Sequence, residues 1–75
     1  MAKLLHLDAT GVACPIPVIR TRKVLRTMGP EDVLEVTCTD PMAGIDIPCL
    51  LFKTGDELLG IVNGDGILTV RIRKA

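Results

Sequence analysis

The chain has little of the chemistry that marks the common binding and catalytic sites. Phe52 is the only aromatic residue among 75, which argues against a surface that stacks the bases of single-stranded nucleic acid. A single histidine, and three cysteines without a CxxC pair, do not supply the closely spaced ligands of a structural zinc site. No apolar run approaches the roughly 20 residues that span a bilayer. We therefore expect no metal, no cofactor and no membrane association.

Net charge is absent as well, but the zero total conceals a strong segregation. Residues 1–29 carry five basic side chains and one acidic side chain, and residues 30–66 carry one basic and eight acidic side chains. Residues 67–75 carry three basic side chains. A basic first third in a neutral chain favours steering of an acidic protein partner over nonspecific binding of nucleic acid.

The length of 75 residues predicts a single domain, 1–75, with a modest core. Apolar residues make up 48% and charged residues 24% of the chain, as in globular proteins. The apolar start of the chain is short and is interrupted by Lys3 too early to form a signal peptide. We therefore expect a monomer in the reducing cytosol, in which Cys14, Cys38 and Cys49 stay free thiols.

Hydrophobic periodicity predicts the element order β-α-β-α-β-β. The first helix is expected over 15–28, because Pro15 is suited to a first helical position and Gly29-Pro30 ends the pattern. The second helix is expected to be regular only over 46–53, after an irregular turn from residue 41, because Gly44 weakens a helix. The strands are expected over 3–8, 32–39, 56–63 and 67–74, the last two joined by a hairpin at 63–66. Two helices on one face of a four-stranded mixed sheet make a two-layer α/β sandwich.

The first helix carries an apolar stripe and a basic face. The stripe is expected to face the core and consists of Pro17, Val18, Thr21, Val24, Leu25 and Met28. Ile16 and Ile19 project away from this stripe, among the basic side chains. Apolar residues ringed by charge are typical of the centre and rim of a transient protein interface. The sequence therefore predicts a partner-binding surface formed by Ile16, Ile19, Arg20, Lys23 and Arg26.

Cys14 is the candidate nucleophile. It falls at the expected N-cap of the first helix, where the helix dipole, free N–H groups such as that of Ile16, and nearby bases such as Arg20 and Lys23 would lower the pKa of the thiol. A lower pKa raises the fraction of thiolate at neutral pH. Pro15 and Pro17 stiffen the first turn. Without a resolving CxxC partner or a catalytic dyad, the thiol is suited to accepting a group and passing it on.

The segment Cys14-Pro15-Ile16-Pro17, preceded by Asp8 and Gly11, resembles the motif of the TusA/SirA family of small sulfur-carrier proteins. The resemblance continues through 39–41, 46–48 and 54–55 and covers nearly the whole chain. It implies the same β-α-β-α-β-β sandwich. It also implies that Cys14, supported by Gly11, Pro15 and Pro17, takes sulfane sulfur as a persulfide and hands it to a partner protein.

The family also implies the kinds of partner. Sulfur donors include cysteine desulfurases and rhodaneses, and destinations include 2-thiouridine of tRNA, the molybdenum cofactor pathway and sulfur oxidation. Two other functions stay open: a redox-sensing or regulatory interaction module that uses the same cysteine, and a nucleic-acid binder. A nucleic-acid binder would use basic side chains of the first helix and of the last strand, namely Arg20, Arg22, Lys23, Arg26, Arg71, Arg73 and Lys74.

The other polar and thiol side chains have simpler interpretations. Cys38 is predicted to pack in the core, and Cys49 to pack near the edge of the apolar face of the second helix. The alternative for Cys49 is a second thiol that receives sulfur or resolves an oxidised Cys14. Asp40 and Asp46 are predicted to cap helices. His6 is predicted to be an ordinary strand residue. The sequence leaves open whether Asp8 fixes the turn before Cys14 or faces a partner.

Overall fold

The computed structural model describes residues 2–75, so Met1, the first residue of the predicted domain, lies outside the described residues. Its elements follow the predicted order β-α-β-α-β-β, which is thereby confirmed. They are β1 (Leu4–Ala9), α1 (Ile16–Thr27), β2 (Val33–Cys38), α2 (Ala43–Thr54), β3 (Glu57–Gly64) and β4 (Ile67–Arg73).

The four strands form one mixed sheet in the order β1-β2-β4-β3. The first two strands are parallel, because α1 connects them as a crossover, and β4 is antiparallel to both β2 and β3. Both helices pack on the same face of the sheet. The predicted two-layer sandwich with a four-stranded mixed sheet is therefore confirmed.

The core lies between this face and the helices. Alternate residues of β2 and β4 are buried. α1 lies over β1 and β2 and buries Pro17, Thr21 and Leu25 of its apolar stripe, as predicted. Cys38 is completely buried, and its Sγ lies 3.6 Å from the carbonyl oxygen of Leu68. The predicted packing role of Cys38 is confirmed.

The hairpin between β3 and β4 is tight. Asp65 and Gly66 both have positive φ angles, 53° and 75°, as a two-residue type I′ turn requires. The opposite side of β3 has no partner strand among residues 2–75, and every residue of β3 is exposed. The predicted hairpin is confirmed, and β3 is an edge strand.

The second helix begins earlier than predicted. Helical hydrogen bonding starts with the Asp46 N–H, which donates to the Met42 carbonyl, and α2 includes Gly44 and Pro48. Ala43 and Ile47, one turn apart, are both buried in the core. Their burial outweighs the low helix propensity of Gly44, so the predicted start at Asp46 is wrong.

α1 and α2 each have 12 residues. Within residues 2–75, neither helix is long and apolar enough to cross a membrane.

Candidate functional site

Cys14 lies exposed in the loop between β1 and α1. The helix begins at Ile16 with Pro15 as its N-cap residue, so the predicted N-cap position of Cys14 is wrong by one residue. The Ile16 N–H donates to the Ala13 carbonyl at 3.0 Å and is therefore not free to point toward the sulfur. The peptide bond between Cys14 and Pro15 is cis.

The loop before Cys14 is fixed from both of its ends. Asp8 Oδ1 accepts hydrogen bonds from the backbone N–H of Thr10 at 2.9 Å and from its hydroxyl at 2.7 Å. Gly11 adopts a positive φ of 77°, which suits glycine, and its N–H donates to the Thr39 hydroxyl at 3.0 Å. Asp8 thus fixes the turn, and Gly11 joins it to the end of β2.

Two carboxylates from the second half of the chain hold Cys14. The thiol donates a hydrogen bond from Sγ to Asp46 Oδ2 at 2.9 Å, and the backbone N–H donates to Asp40 Oδ2 at 2.5 Å. Asp40 Oδ1 also accepts the N–H of Met42, the residue that precedes α2. Asp40 therefore joins the Cys14 loop to the turn before α2. The predicted capping roles of Asp40 and Asp46 are both wrong, because Met42 is the N-cap residue of α2 and the Asp46 side chain accepts the thiol.

These contacts reverse the predicted electrostatics of the thiol. The hydrogen bond to Asp46 is the main cause that raises the pKa of Cys14 above the ordinary value of a thiol, and partial desolvation and the negative charges of Asp46 and Asp40 act in the same direction. The predicted lowering of this pKa is wrong. The prediction considered the bases of α1 but not the acidic side chains that α2 and the turn before it bring to the sulfur.

A groove of about 570 Å³ runs between α1 and α2, beginning at Cys14. This volume is in the range of small-ligand sites. Its walls carry the thiol of the loop before α1, Asp46 of the first turn of α2, apolar side chains beyond them, and one basic side chain from each helix. The lining residues are Cys14, Pro15, Val18, Ile19, Arg22, Asp46, Cys49, Leu50, Lys53 and Thr54.

Cys49 lies in the wall of this groove and is exposed. The residues of α2 that are buried are Ala43, Ile47 and Leu51, which recur every four positions and face the sheet. Cys49 projects from another side of the helix, together with Asp46 three residues earlier. The predicted packing role of Cys49 is therefore wrong.

The predicted partner-binding surface is available on α1. Ile16 and Ile19 are 41% and 47% exposed, and Arg20, Lys23 and Arg26 are exposed as well. The exposure agrees with the helical pattern, and the binding of a partner there stays a prediction. Sequence analysis missed two further exposed apolar side chains, Met42 and Ile45, which stand next to the acidic residues that hold Cys14. The uncharged run 42–45 before Asp46 was the available signal.

His6 takes no part in the site. It lies in β1 opposite Glu35 of β2, and its Nδ1 is 3.4 Å from Glu35 Oε1. Its neighbours Leu5 and Leu7 pack against the core, so His6 projects from the other face of the sheet. The same Glu35 accepts a hydrogen bond from Arg71 at 2.9 Å. His6 is the ordinary strand residue that the sequence predicts.

Comparison with known proteins agrees with this architecture. The sequence profile of the family described as sulfurtransferase TusA matches residues 6–74. The chain is 42% identical to the sulfur carrier protein TusA of Pseudomonas entomophila, covering 99% of this chain and 96% of that protein. It is 36% identical to the sulfur carrier protein TusA of Allochromatium vinosum, covering 93% and 92%.

A solved structure shows the same fold. The SirA-like protein of Desulfitobacterium hafniense superposes with a TM-score of 0.83 at 28% identity, covering 92% of this chain and 95% of that one. The profile and the relatives each cover nearly the whole chain. The chain therefore belongs to the TusA family of sulfurtransferases and is a sulfur carrier.

Proposed function

We propose that the chain carries sulfane sulfur as a persulfide on Cys14, taking it from a donor protein and passing it to an acceptor protein. The observation that carries this proposal is the exposed Cys14 thiol at the mouth of the groove, with a carboxylate placed to accept its proton. Cys38 is buried, which removes it as a site for transfer between proteins.

The loading step balances without an added oxidant or reductant. Cys14 Sγ attacks the terminal sulfur of a donor persulfide, the S–S bond of the donor breaks, and a new S–S bond forms on Cys14. The thiol proton leaves through Asp46 Oδ2, 2.9 Å away, and protonates the departing donor thiolate. Delivery to the acceptor is the same exchange, with the acceptor thiolate as the nucleophile.

The raised pKa of Cys14 fits this chemistry. A thiolate with a higher pKa is intrinsically more nucleophilic, although less of it is present at neutral pH. Asp46 offsets the low fraction of thiolate, because its carboxylate lies against the thiol and can accept the proton. We infer that the resting thiol is protected from general electrophiles and becomes reactive when a docked donor presents its persulfide.

The partner-binding surface on α1 supplies the docking site. Donor and acceptor must both reach the same sulfur, so they take turns on Ile16, Ile19 and the surrounding bases. The basic side chains favour an acidic partner surface and make association sensitive to salt. In this proposal the donor is a cysteine desulfurase or a rhodanese in the reducing cytosol. The acceptor decides whether the sulfur reaches tRNA 2-thiolation, the molybdenum cofactor pathway or sulfur oxidation.

The test is to incubate the chain with a cysteine desulfurase and L-cysteine, alkylate it, and map the sulfur by peptide mass spectrometry. We expect the mass of one sulfur atom on Cys14, removable by a thiol reductant. A parallel sample receives hydrogen peroxide alone. A chain that gains oxygen on Cys14 from peroxide but no sulfur from the desulfurase would overturn the proposal in favour of redox sensing.

A further inference from the structure

We propose that Cys49 is a second sulfur-carrying thiol, which takes the terminal sulfur from the Cys14 persulfide within the groove between α1 and α2. This inference rests on the proposed function, since it needs a persulfide on Cys14. It concerns two thiols that line one groove, together with Asp46.

Both thiols lie near Asp46. Cys14 Sγ lies 2.9 Å from Asp46 Oδ2. Cys49 follows Asp46 by three residues on α2, so their Cβ atoms are about 5–6 Å apart on one face of the helix. A persulfide adds an S–S bond of about 2 Å to Cys14. The terminal sulfur therefore enters the space that Cys49 lines.

The charges around the groove direct the sulfur away from Asp46. The Sγ of a Cys14 persulfide carries no hydrogen, so the hydrogen bond to Asp46 is lost on loading. A terminal persulfide anion is repelled by the carboxylates of Asp46 and Asp40 and attracted by Arg22 and Lys53, which line the groove further along the two helices. Cys49 lies between Asp46 and Lys53 on α2, in the direction that these charges favour.

The transfer is a balanced exchange. The Cys49 thiolate attacks the terminal sulfur, the S–S bond on Cys14 breaks, and a persulfide forms on Cys49. The proton that Cys49 gives up ends on Cys14, whose thiol recovers its hydrogen bond to Asp46. The sulfane sulfur keeps its oxidation state, and the emptied Cys14 can be loaded again.

The experiment follows both thiols in time after a short pulse of desulfurase and L-cysteine, with alkylation and peptide mapping at each time point. The parent chain is compared with Cys14→Ser, Cys49→Ser and the matched control Cys38→Ala, whose thiol is buried. Circular dichroism verifies the fold of each variant. We expect sulfur on Cys14 first and on Cys49 later, at a rate independent of chain concentration.

The variants give distinct expectations. With excess donor, Cys49→Ser should lower the sulfur bound per chain about twofold while Cys14 still loads. Cys14→Ser should prevent loading of Cys49 by the desulfurase, and Cys38→Ala should behave as the parent.

Three results of the peptide mapping would overturn the inference. They are loading of Cys14 with no sulfur ever reaching Cys49, loading of Cys49 at the parental rate in Cys14→Ser, and release of sulfide with formation of a Cys14–Cys49 disulfide. Transfer that accelerates with chain concentration would overturn it too, because it would occur between molecules. If Cys14 itself takes no sulfur, the proposed function fails, and this outcome is separate from the others.

Discussion

The Cys14 thiol donates its hydrogen bond to Asp46 Oδ2 at 2.9 Å, which joins the loop before α1 to the first turn of α2. The two residues are 32 positions apart in the sequence. The candidate nucleophile and its proton acceptor therefore come together only when both helices have packed on the sheet. The same contact holds the thiol in its protonated form.

The first prediction is that Asp46→Asn lowers the pKa of Cys14. The carboxylate raises this pKa because it accepts the thiol proton and repels a thiolate, and a neutral amide does not repel it. The rate of alkylation of Cys14 at neutral pH should rise about threefold for each unit by which the pKa falls, because the gain in thiolate fraction is partly offset by the lower nucleophilicity of a less basic thiolate. The rate of alkylation by iodoacetamide against pH, with peptide mapping, measures the inflection.

Asp65→Asn is the matched control, because Asp65 lies in the hairpin turn between β3 and β4. It should leave the inflection of Cys14 unchanged. An inflection for the parent chain below that of a free cysteine peptide, or one that Asp46→Asn does not lower, would contradict the electrostatic account of the site.

The second prediction is that Ile19→Asp slows sulfur loading by a protein donor. An acidic side chain in the centre of the basic surface on α1 removes an apolar contact and repels an acidic partner. Ile19 is 47% exposed, so the fold should be retained. Loading by desulfurase should slow about tenfold or more, as for loss of an interface anchor, while small-molecule alkylation of Cys14 stays at the parental rate.

Val62→Asp is the control for this variant. Val62 is 70% exposed on β3, outside the proposed docking surface, and its replacement should leave loading unchanged. Equal slowing in both variants, or parental loading rates that are identical at low and high salt, would show that α1 is not the docking surface.

The third prediction concerns the position of α2, which places Asp46 beside Cys14. Ile47 is completely buried, and Ile47→Ala should lower the free energy of unfolding by about 2–5 kcal/mol. Ile45 is 60% exposed, and Ile45→Ala should change the free energy of unfolding by less than about 0.5 kcal/mol. Urea unfolding followed by circular dichroism measures both. Similar losses for the two variants would mean that α2 is rotated from the position described.

Local signals predict the fold well and the site less well. The signals for the elements are local, such as Pro15 near the start of α1 and the turn residues Asn63–Gly66 of the hairpin. The elements and their order therefore follow from the sequence. The start of α2 does not, because the burial of Ala43 and Ile47 against the sheet outweighs local propensity.

The site depends on contacts between distant parts of the chain. The sequence predicts Cys14 as the candidate nucleophile and the exposed face of α1, because the motif and the helical period are local. It misses the role of Asp46 and the exposure of Cys49, because both depend on how α2 is oriented relative to α1. The pKa of Cys14 is raised by the same tertiary contact. The sequence alone does not show this contact and therefore predicts a shift in the wrong direction.

Replacing Cys14 by serine is the direct test of whether Cys14 accepts the sulfur. The replacement is nearly isosteric at an exposed loop position, so the fold should be intact by circular dichroism. The measurement is the sulfur bound per chain after incubation with desulfurase and L-cysteine that carries the radiolabel in its sulfur atom. Cys38→Ala is the control. We expect no label on Cys14→Ser and parental label on Cys38→Ala. Equal labelling of Cys14→Ser and the parent chain would show that Cys14 is not the sulfur acceptor.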